Sequence, residues 1–262
     1  MIDLHCHVLP GIDDGPPTLD DSLDLLDTAE AAGIATVVAT PHVSARYRND
    51  AMTVQDGLRH VRAAASEAGI AVEVQAGAEI SMSRLGDLAD EELCRLRLGA
   101  GPWLLIECPL EQAAGDVELV LDAVHRRGHW IVLAHPERSP LFRRAPARLR
   151  ALVDQGMLCS ITAGSLTGAF GHQARDFAIA LVREGLVHNI TSDAHDAVRR
   201  APVVLDDVVA VARDAPELLA RITWLTEDIP RAVLVGDALP PPPPASDVAT
   251  RRNRREWLGR AF

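Results

Sequence analysis

The chain has 262 residues, 48% of them hydrophobic, and carries a formal net charge of −11 at pH 7. This length accommodates one large domain or two small ones with a substantial core. The acidic balance argues against a general nucleic-acid-binding surface, and no apolar run reaches the length of a membrane span. The first residues lack the charged and apolar regions of an export signal, so we expect a cytoplasmic protein.

All 26 lysine-or-arginine positions are occupied by arginine. A lysine Schiff base and a P-loop lysine are therefore excluded. The four cysteines form no CxxC pair, and we interpret them as reduced thiols. They are Cys6, Cys94, Cys108 and Cys159. None is followed six positions later by an arginine, so the phosphate-binding loop of cysteine-dependent phosphatases is absent as well.

The N-terminal segment 1–15, MIDLHCHVLPGIDDG, predicts a short buried strand that runs into a polar end. Because alternate residues of a strand share a face, His5 and His7 project side by side. Asp13 and Asp14 follow between glycines, and Asp13 is typical of a turn, with a supporting role behind a metal ligand as the alternative. Two parallel imidazoles and a nearby carboxylate can hold a divalent metal. Taken alone, however, an HxH pair is as often only hydrogen-bonded.

Further along the chain, six more buried strands alternate with helices. The predicted strands cover 34–40, 70–76, 103–106, 130–134, 157–162 and 187–191. The predicted helices run from a Thr18 cap to Gly33, then over 53–68, part of 83–98, 117–127, 147–155, 173–184 and much of 202–235. This alternation indicates an α/β fold with a parallel sheet. Seven units predict a distorted (β/α)7 TIM-like barrel with its active site at the C-terminal ends of the strands.

The C-terminal part has a different composition. Segment 239–244 contains five consecutive prolines, which is typical of a stiff linker, and 251–262 is a basic tail, RRNRREWLGRAF. We interpret the tail as a disordered end, with docking to an acidic partner or a membrane surface as the alternative. The sequence thus predicts a domain over 1–238 and a proline-rich linker with a basic tail over 239–262.

The polar residues at the predicted strand ends are all of metal-binding types. They are His5, His7, Asp14, His42, Glu79, Glu107, His135, Asp193 and His195. Because these strand ends meet at one rim of such a barrel, we expect the nine side chains to converge. The remaining histidines fall elsewhere, and we interpret them as solvated or structural; they are His60, His125, His129, His172 and His188. The joint placement favours a metal site over scattered structural histidines.

The same segments carry a family resemblance. HCHVLPGIDDG, TPH at 40–42, GAEI at 77–80, Glu107, AHPER at 134–138 and SDAH at 192–195 resemble the polymerase-and-histidinol-phosphatase (PHP) superfamily. Within it, IDDG and HPER most resemble the bacterial CpsB-type protein-tyrosine phosphatases, which are metal enzymes linked to capsule and exopolysaccharide export. The resemblance covers roughly residues 1–236 and implies the PHP fold.

This resemblance implies three clustered divalent metals, with manganese expected and iron or zinc as alternatives. The residues matched to the first metal are His5, His7, Glu79 and Asp193. Glu79 also bridges to the second metal, whose other ligands are Glu107 and His135. The residues matched to the third metal are Asp14, His42 and His195. Imidazole and carboxylate ligands leave the metal identity open.

The chemistry implied is attack on phosphorus by a metal-activated hydroxide. Arg138 and Arg200 match the family's phosphate-binding arginines, and a planar guanidinium fits two phosphate oxygens. The neighbouring Arg199 leaves the second assignment open, and a surface salt bridge is the alternative role for either arginine. A phenolate leaves readily, so phosphotyrosine needs little help from a general acid.

The sequence therefore predicts a metal-dependent protein-tyrosine phosphatase, acting on the phosphorylated tyrosine-rich tail of a bacterial polysaccharide-export kinase. The alternatives are a small-molecule phosphatase of the histidinol-phosphate type and a non-catalytic metal-bound adaptor. Asp14 favours the first, because the histidinol-phosphate branch typically has histidine at this position. An adaptor should have lost ligands, whereas all nine positions carry a competent residue. Tyr47 is the only tyrosine, so no wall for stacking phosphotyrosine is evident from the sequence.

Overall fold

The computed structural model of the protein describes residues 1–110 and 116–243 and has a mixed α/β fold. All strand pairs in these residues are parallel. The strands are β1 (Ile2–Cys6), β2 (Thr36–Ala39), β3 (His42–Val43), β4 (Glu73–Ala76), β5 (Glu79–Ser81), β6 (Trp103–Glu107), β7 (Trp130–Ala134), β8 (Leu158–Thr162) and β9 (Asn189–Thr191). They form a three-stranded sheet in the order β1-β2-β4 and a six-stranded sheet in the order β3-β5-β6-β7-β8-β9.

Two of the predicted strands are each followed by a second short strand that the sequence does not predict. The second predicted strand, observed as β2, ends before Pro41, which has no N–H to donate to the ladder, and β3 begins directly after this proline. The third, observed as β4, ends before Gly77, where a Cβ would lie 2.8 Å from Val38 Cγ1 and 2.9 Å from Leu98 Cδ2. His42 and Glu79 therefore begin new strands and do not merely follow the predicted ones.

Strand β1 also contacts the end of β9 and so connects the two sheets. The His7 N–H donates to Ala194 O at 2.8 Å, and the Asp193 N–H donates to His5 O at 2.9 Å. The buried Asp3 carboxylate accepts a hydrogen bond from the Ser192 N–H at 3.1 Å and another from the Ser192 hydroxyl. These contacts hold the HxH segment against the SDAH segment, although about 190 residues separate them in the chain.

The strands form the centre of the core because both of their faces are covered by other elements. Every residue of β1 and β8 is buried, as is usual for parallel strands. Trp103 is 1% exposed and packs edge-on against Trp130, with 4.9 Å between ring centroids. Each fully buried aliphatic or aromatic side chain contributes roughly 1.5–3 kcal/mol to folding. The core is therefore a rigid base for the polar strand ends.

Eleven α-helices surround the strands in the described residues. They are α1 (Leu19–Ala31), α2 (Ala51–Ala68), α3 (Asp90–Arg95), α4 (Val117–Arg126), α5 (Pro140–Arg144), α6 (Pro146–Asp154), α7 (Ala163–Thr167), α8 (His172–Arg183), α9 (Leu205–Ala210), α10 (Glu217–Thr223) and α11 (Ile229–Val235). None of these helices has both the length and the apolar character needed to cross a membrane.

Local capping explains the boundaries of the first two helices. Thr18 Oγ1 accepts the Asp21 N–H at 3.2 Å, as its predicted capping role requires. Helix α2 begins two residues earlier than predicted because Asp50 Oδ1 accepts the Thr53 N–H at 2.8 Å. It ends at Gly69, whose φ of +78° is in the left-handed region that glycine adopts without strain. Helix α7 is too short to leave a periodic pattern, and the sequence does not predict it.

The beginning of the proline run packs on the domain. The Trp224 indole N–H donates to Pro240 O at 3.0 Å. The last proline of the run, residue 244, and the basic tail over 251–262 lie outside the described residues, so the predicted linker and tail remain a prediction.

Candidate metal centre

The structure brings all nine predicted metal ligands together. Their ligand atoms form four groups, and the atoms of each group lie within 4.8 Å of one another. The groups are His7–Asp14–His42–His195, His5–His7–Asp193, His5–Glu79–His135 and His42–Glu79–Glu107. Within the two described ranges, these groups contain the nine predicted residues and no others. The metal-binding role of each residue remains a prediction.

The innermost atoms belong to His5, His7, Glu79 and Asp193. The Nε2 atoms of the two histidines are only 3.2 Å apart. They lie 3.3 and 3.4 Å from Glu79 Oε2, and 3.4 and 3.6 Å from Asp193 Oδ1. Glu79 Oε2 is buried, and no neighbouring donor is oriented to hydrogen-bond to it, which normally costs about 1–3 kcal/mol. Imidazole nitrogens and carboxylate oxygens that converge in this way fit a divalent cation between them.

Glu79 presents its second oxygen to a different imidazole. Oε1 lies 2.8 Å from His135 Nε2, whereas Oε2 lies 2.9 Å from His42 Nδ1. Burial raises the pKa of Glu79, but the electrostatic interaction with His5 and the contacts with His135 and His42 outweigh it and lower the pKa well below its usual value. Burial and the Glu79 charge together raise the pKa of Glu107 to about 7. A carboxylate with one oxygen facing each side is suited to bridge two cations.

Asp14 forms the outer corner of the cluster. Its Oδ1 lies 3.4 Å from His42 Nε2 and 3.5 Å from His195 Nε2. His195 Nε2 is buried without a hydrogen-bond partner, whereas the Asp14 side chain is 44% exposed. This corner therefore faces solvent. His7 also lies within this group, although the resemblance assigns His7 only to the first metal.

Asp13 combines the two roles that the sequence left open. Its Oδ2 lies 2.8 Å from His7 Nδ1 and accepts the His42 N–H at 3.0 Å. Its Oδ1 closes the turn by accepting the Gly15 N–H at 2.9 Å. Burial lowers the pKa of His7, but the Asp13 and Glu79 carboxylates outweigh burial and raise it to about 10. Asp13 thus fixes the ring orientation and leaves Nε2 directed at the cluster.

Gly15 allows this turn to approach β1 closely. A Cβ at Gly15 would lie 2.4 Å from His7 O and 3.0 Å from Asp13 Oδ1. We expect Gly15→Ala to displace Asp13 and Asp14 and to lower the bound metal per chain, measured by elemental analysis after gel filtration. Gly86→Ala is the matched control, because a Cβ there meets nothing within 4 Å. Full metal content in Gly15→Ala would show that the turn is not needed for binding.

Two of the predicted ligands have strained backbones. His135 has φ +35° and Asp193 has φ +53°, and no other non-glycine residue in the described ranges has a positive φ. Such conformations cost on the order of 1–3 kcal/mol each and concentrate at functional sites. Backbone hydrogen bonds hold both residues in place, from the His135 N–H to Ser160 O at 2.9 Å and from the Asp193 N–H to His5 O at 2.9 Å. The residue pattern gave no sign of this strain.

Glu137 anchors the turn that carries His135 and Arg138. It is 0% exposed, and its Oε1 accepts the Thr162 N–H at 3.0 Å and the Ser165 hydroxyl at 2.7 Å. Burial raises the pKa of this carboxyl to about 7. These bonds join the turn after β7 to the end of β8, and sequence reasoning did not identify Glu137 as part of the site.

Removing this anchor should destabilise the protein. Glu137→Ala leaves the Thr162 N–H and the Ser165 hydroxyl buried and unpaired, so we expect the free energy of unfolding to fall by about 2–4 kcal/mol. Glu137→Gln keeps an acceptor oxygen and should lose less than about 1.5 kcal/mol. Urea unfolding followed by circular dichroism measures both changes. Equal losses in the two variants would contradict the anchoring role.

Arg138 and Arg200 both contact the far oxygen of Asp193. Arg138 Nη1 lies 2.6 Å and Arg200 Nη2 lies 2.7 Å from Asp193 Oδ2. Both guanidinium groups lie over the Phe170 ring, at 4.2 and 5.9 Å from its centroid, which is favourable for cations. Arg199 is exposed and does not line the cavity. Phe170 lies in a loop with no recognisable motif, and the sequence did not identify it.

A cavity of about 270 Å³ opens above the cluster. Its wall consists of Asp14, His42, Ser44, Arg46, Tyr47, Glu79, Glu107, Leu110, His135, Arg138, Asp193, His195 and Arg200. Candidate metal ligands and both candidate phosphate-binding arginines thus share one opening. This volume lies below the ~300–1,000 Å³ typical of sites for drug-sized ligands, so the cavity suits a single small group or side chain.

Comparison with known protein families places the chain among proteins of polysaccharide synthesis. The family described as capsular polysaccharide synthesis, CpsB/CapC, matches residues 1–225. The tyrosine-protein phosphatase YwqE of Bacillus subtilis is 36% identical over 203 residues, which cover 76% of this chain and 79% of YwqE. The tyrosine-protein phosphatase CpsB of Streptococcus pneumoniae is 26% identical over 248 residues, covering 90% of this chain and 98% of CpsB.

Solved structures agree with these matches. A chain from the crystal structures of YwqE from Bacillus subtilis and CpsB from Streptococcus pneumoniae, described as unique metal-dependent tyrosine phosphatases, superposes with a TM-score of 0.77 at 28% identity. The match covers 94% of this chain and 99% of that chain. A mutant organophosphorus hydrolase has a TM-score of 0.52 at 17% identity over 88% of this chain and 91% of its own. This second likeness concerns the fold alone.

Proposed function

Because the chain belongs to the CpsB/CapC family of capsular polysaccharide synthesis, we propose that it is a metal-dependent protein-tyrosine phosphatase. The observation that carries the proposal is the convergence of nine metal-ligand side chains beneath a cavity that two arginines also line. The names of the phosphatase relatives support the type of reaction, and the candidate ligands and arginines are the groups that such a reaction requires.

The cofactors we propose are three divalent metal ions, with manganese as the expected identity and iron or zinc as alternatives. The buried and unpartnered Glu79 Oε2 and His195 Nε2 support this proposal. The proposed ligands are His5, His7, Asp14, His42, Glu79, Glu107, His135, Asp193 and His195. When bound, such ions supply a water of lowered pKa as the nucleophile and positive charge opposite the phosphoryl oxygens.

Arg138 and Arg200 are proposed to clamp the phosphate. Each guanidinium donates one hydrogen bond to Asp193 Oδ2, and its other N–H groups remain available for phosphoryl oxygens. Arg200 Nε is buried without a partner, and the two side chains remain 17% and 32% exposed. Asp193 and Phe170 orient both groups before the substrate arrives, so little side-chain entropy is lost on binding.

A distorted (β/α)7 barrel is our proposal for the architecture. The hydrogen bonds between β1 and the segment after β9 support it, and so does the order of the strands, which gives seven units when β2 with β3 and β4 with β5 are each counted once. We propose that the phosphatase domain covers 1–238 and that 239–262 is a proline-rich linker with a basic tail.

The substrate we propose is the phosphorylated tyrosine-rich tail of a bacterial polysaccharide-export tyrosine kinase, met in the cytoplasm. The names of the phosphatase relatives and the capsular role of the family support this choice. A phenolate is a good leaving group, so the site needs no strong general acid beside the phosphate-binding arginines.

Side-by-side kinetics test the proposal. Manganese-loaded protein should release phosphate from a phosphotyrosine peptide with a kcat/KM at least about 10-fold above that for histidinol phosphate, because the phenolate leaves more readily. EDTA should abolish both activities. The opposite preference would favour the small-molecule phosphatase, and the absence of turnover at full metal loading would favour the adaptor.

A further inference from the structure

Tyr47, the only tyrosine of the chain, lies directly beside the proposed metal centre. Its ring is parallel to the His42 imidazole within 6°, with 5.6 Å between the ring centroids. It is partly exposed and lines the cavity that Arg138 and Arg200 also line. Among the described residues of the cavity wall, it is the only phenylalanine, tyrosine or tryptophan.

The loop that carries Tyr47 is held firmly. The Ser44 N–H donates to Tyr47 O at 2.8 Å, and the Tyr47 N–H donates to Ser44 Oγ at 3.0 Å. The Asn49 amide donates to Ile12 O and to His42 O, both at 2.9 Å, and so attaches this loop to the N-terminal turn. The Arg46 guanidinium carbon lies 4.9 Å from the Tyr47 ring centroid. The ring is therefore preorganised for contact with a ligand.

Leu110 is the only aliphatic side chain of the described cavity wall, and it is 43% exposed. Every other residue of that wall apart from Tyr47 is charged or polar. A phosphate ion alone would need only the charged groups. Two apolar side chains at the same opening indicate a ligand that carries an apolar body next to its phosphate.

Resting on the proposed phosphatase function, we propose that Tyr47 and Leu110 form an aryl subsite that selects aryl phosphates over alkyl phosphates. The phosphoryl group is held by Arg138 and Arg200, and the aromatic ring attached to it packs against Tyr47 and Leu110. The cavity of about 270 Å³ has room for one phosphorylated aromatic side chain. Selectivity then arises from contact with the ring and not from the phosphate-binding groups.

Non-hydrolysable ligands test this subsite without requiring catalysis. In calorimetric titrations of manganese-loaded protein, phenylphosphonate should bind about 3- to 10-fold more tightly than methylphosphonate, the contribution of one aromatic pair. Tyr47→Ala should remove this preference by weakening phenylphosphonate alone, and Leu110→Ala should reduce it. Tyr47→Phe, which keeps the ring, should retain it. The metal content of each variant is measured in parallel.

Two results would overturn the subsite. One is equal affinity of the wild-type protein for the two phosphonates. The other is a parallel loss of both affinities in Tyr47→Ala, because this would mean that Tyr47 acts only through His42 and the metals. Failure of the proposed function gives a different result, namely no phosphate release from any substrate while the phosphonate preference can still be measured.

Discussion

Replacing Glu79 by glutamine is expected to abolish phosphatase activity through loss of metal. Glu79 is buried, and its two oxygens face His135 on one side and His42, His5 and His7 on the other. The substitution keeps the shape but removes the negative charge and one acceptor oxygen from the middle of the cluster. Even hydrogen-bond partners of metal ligands change metal affinity by about 10–100-fold, so the loss here should be at least about 100-fold.

Elemental analysis after gel filtration and phosphate release from a phosphotyrosine peptide measure this effect. Glu73→Gln is the matched control, because Glu73 is an exposed glutamate on β4, one strand segment earlier. It should keep the metal content and activity of the wild-type protein. A Glu79→Gln protein that binds metal normally and turns over substrate would refute the bridging role of Glu79.

Replacing Arg138 by alanine should have the second-largest effect, and of a different kind. Arg138 donates one hydrogen bond to Asp193 Oδ2, and its side chain also lines the cavity. Removal of one preorganised donor to developing charge typically costs about 100- to 1,000-fold in rate. Bound metal should remain, because Arg200 still contacts Asp193 Oδ2 and Oδ1 still faces His5 and His7.

One further variant separates charge from geometry at this position. Arg138→Lys keeps the charge without the planar fork and should recover only part of the activity. Arg144→Ala, at the exposed end of α5, is the control and should behave as wild type. Full activity in Arg138→Ala, or a loss of metal that accounts for the whole effect, would show that Arg138 does not act on the phosphate.

The composition of the site could be predicted because parallel strands bring their carboxyl ends to one edge of a sheet. His135 and Asp193 are 58 positions apart in the chain, yet His135 directly follows β7 and Asp193 lies two residues after the end of β9. Placement at strand ends therefore identified them without knowledge of any contact. Only the family resemblance pointed to Arg200, with Arg199 left open, and the structure has Arg200, and not Arg199, on the cavity wall.

Other features depend on long-range contacts that a residue pattern does not encode. The need for glycine at position 77 follows from the approach of Val38 and Leu98, and the positive φ of His135 is held by a hydrogen bond to Ser160 O on a neighbouring strand. Phe170 becomes relevant only because its loop folds under two arginines. Tyr47 gave no signal as an isolated aromatic residue, and its position beside His42 appears only in three dimensions.

The most direct test is to restore metal stepwise to the chelator-treated protein. Bound manganese and phosphate release from a phosphotyrosine peptide are measured at each step. The proposed function predicts no activity in the metal-free protein and activity that rises with occupancy to a maximum at three ions per chain. Phosphate release by the metal-free protein, or none at full occupancy, would contradict it.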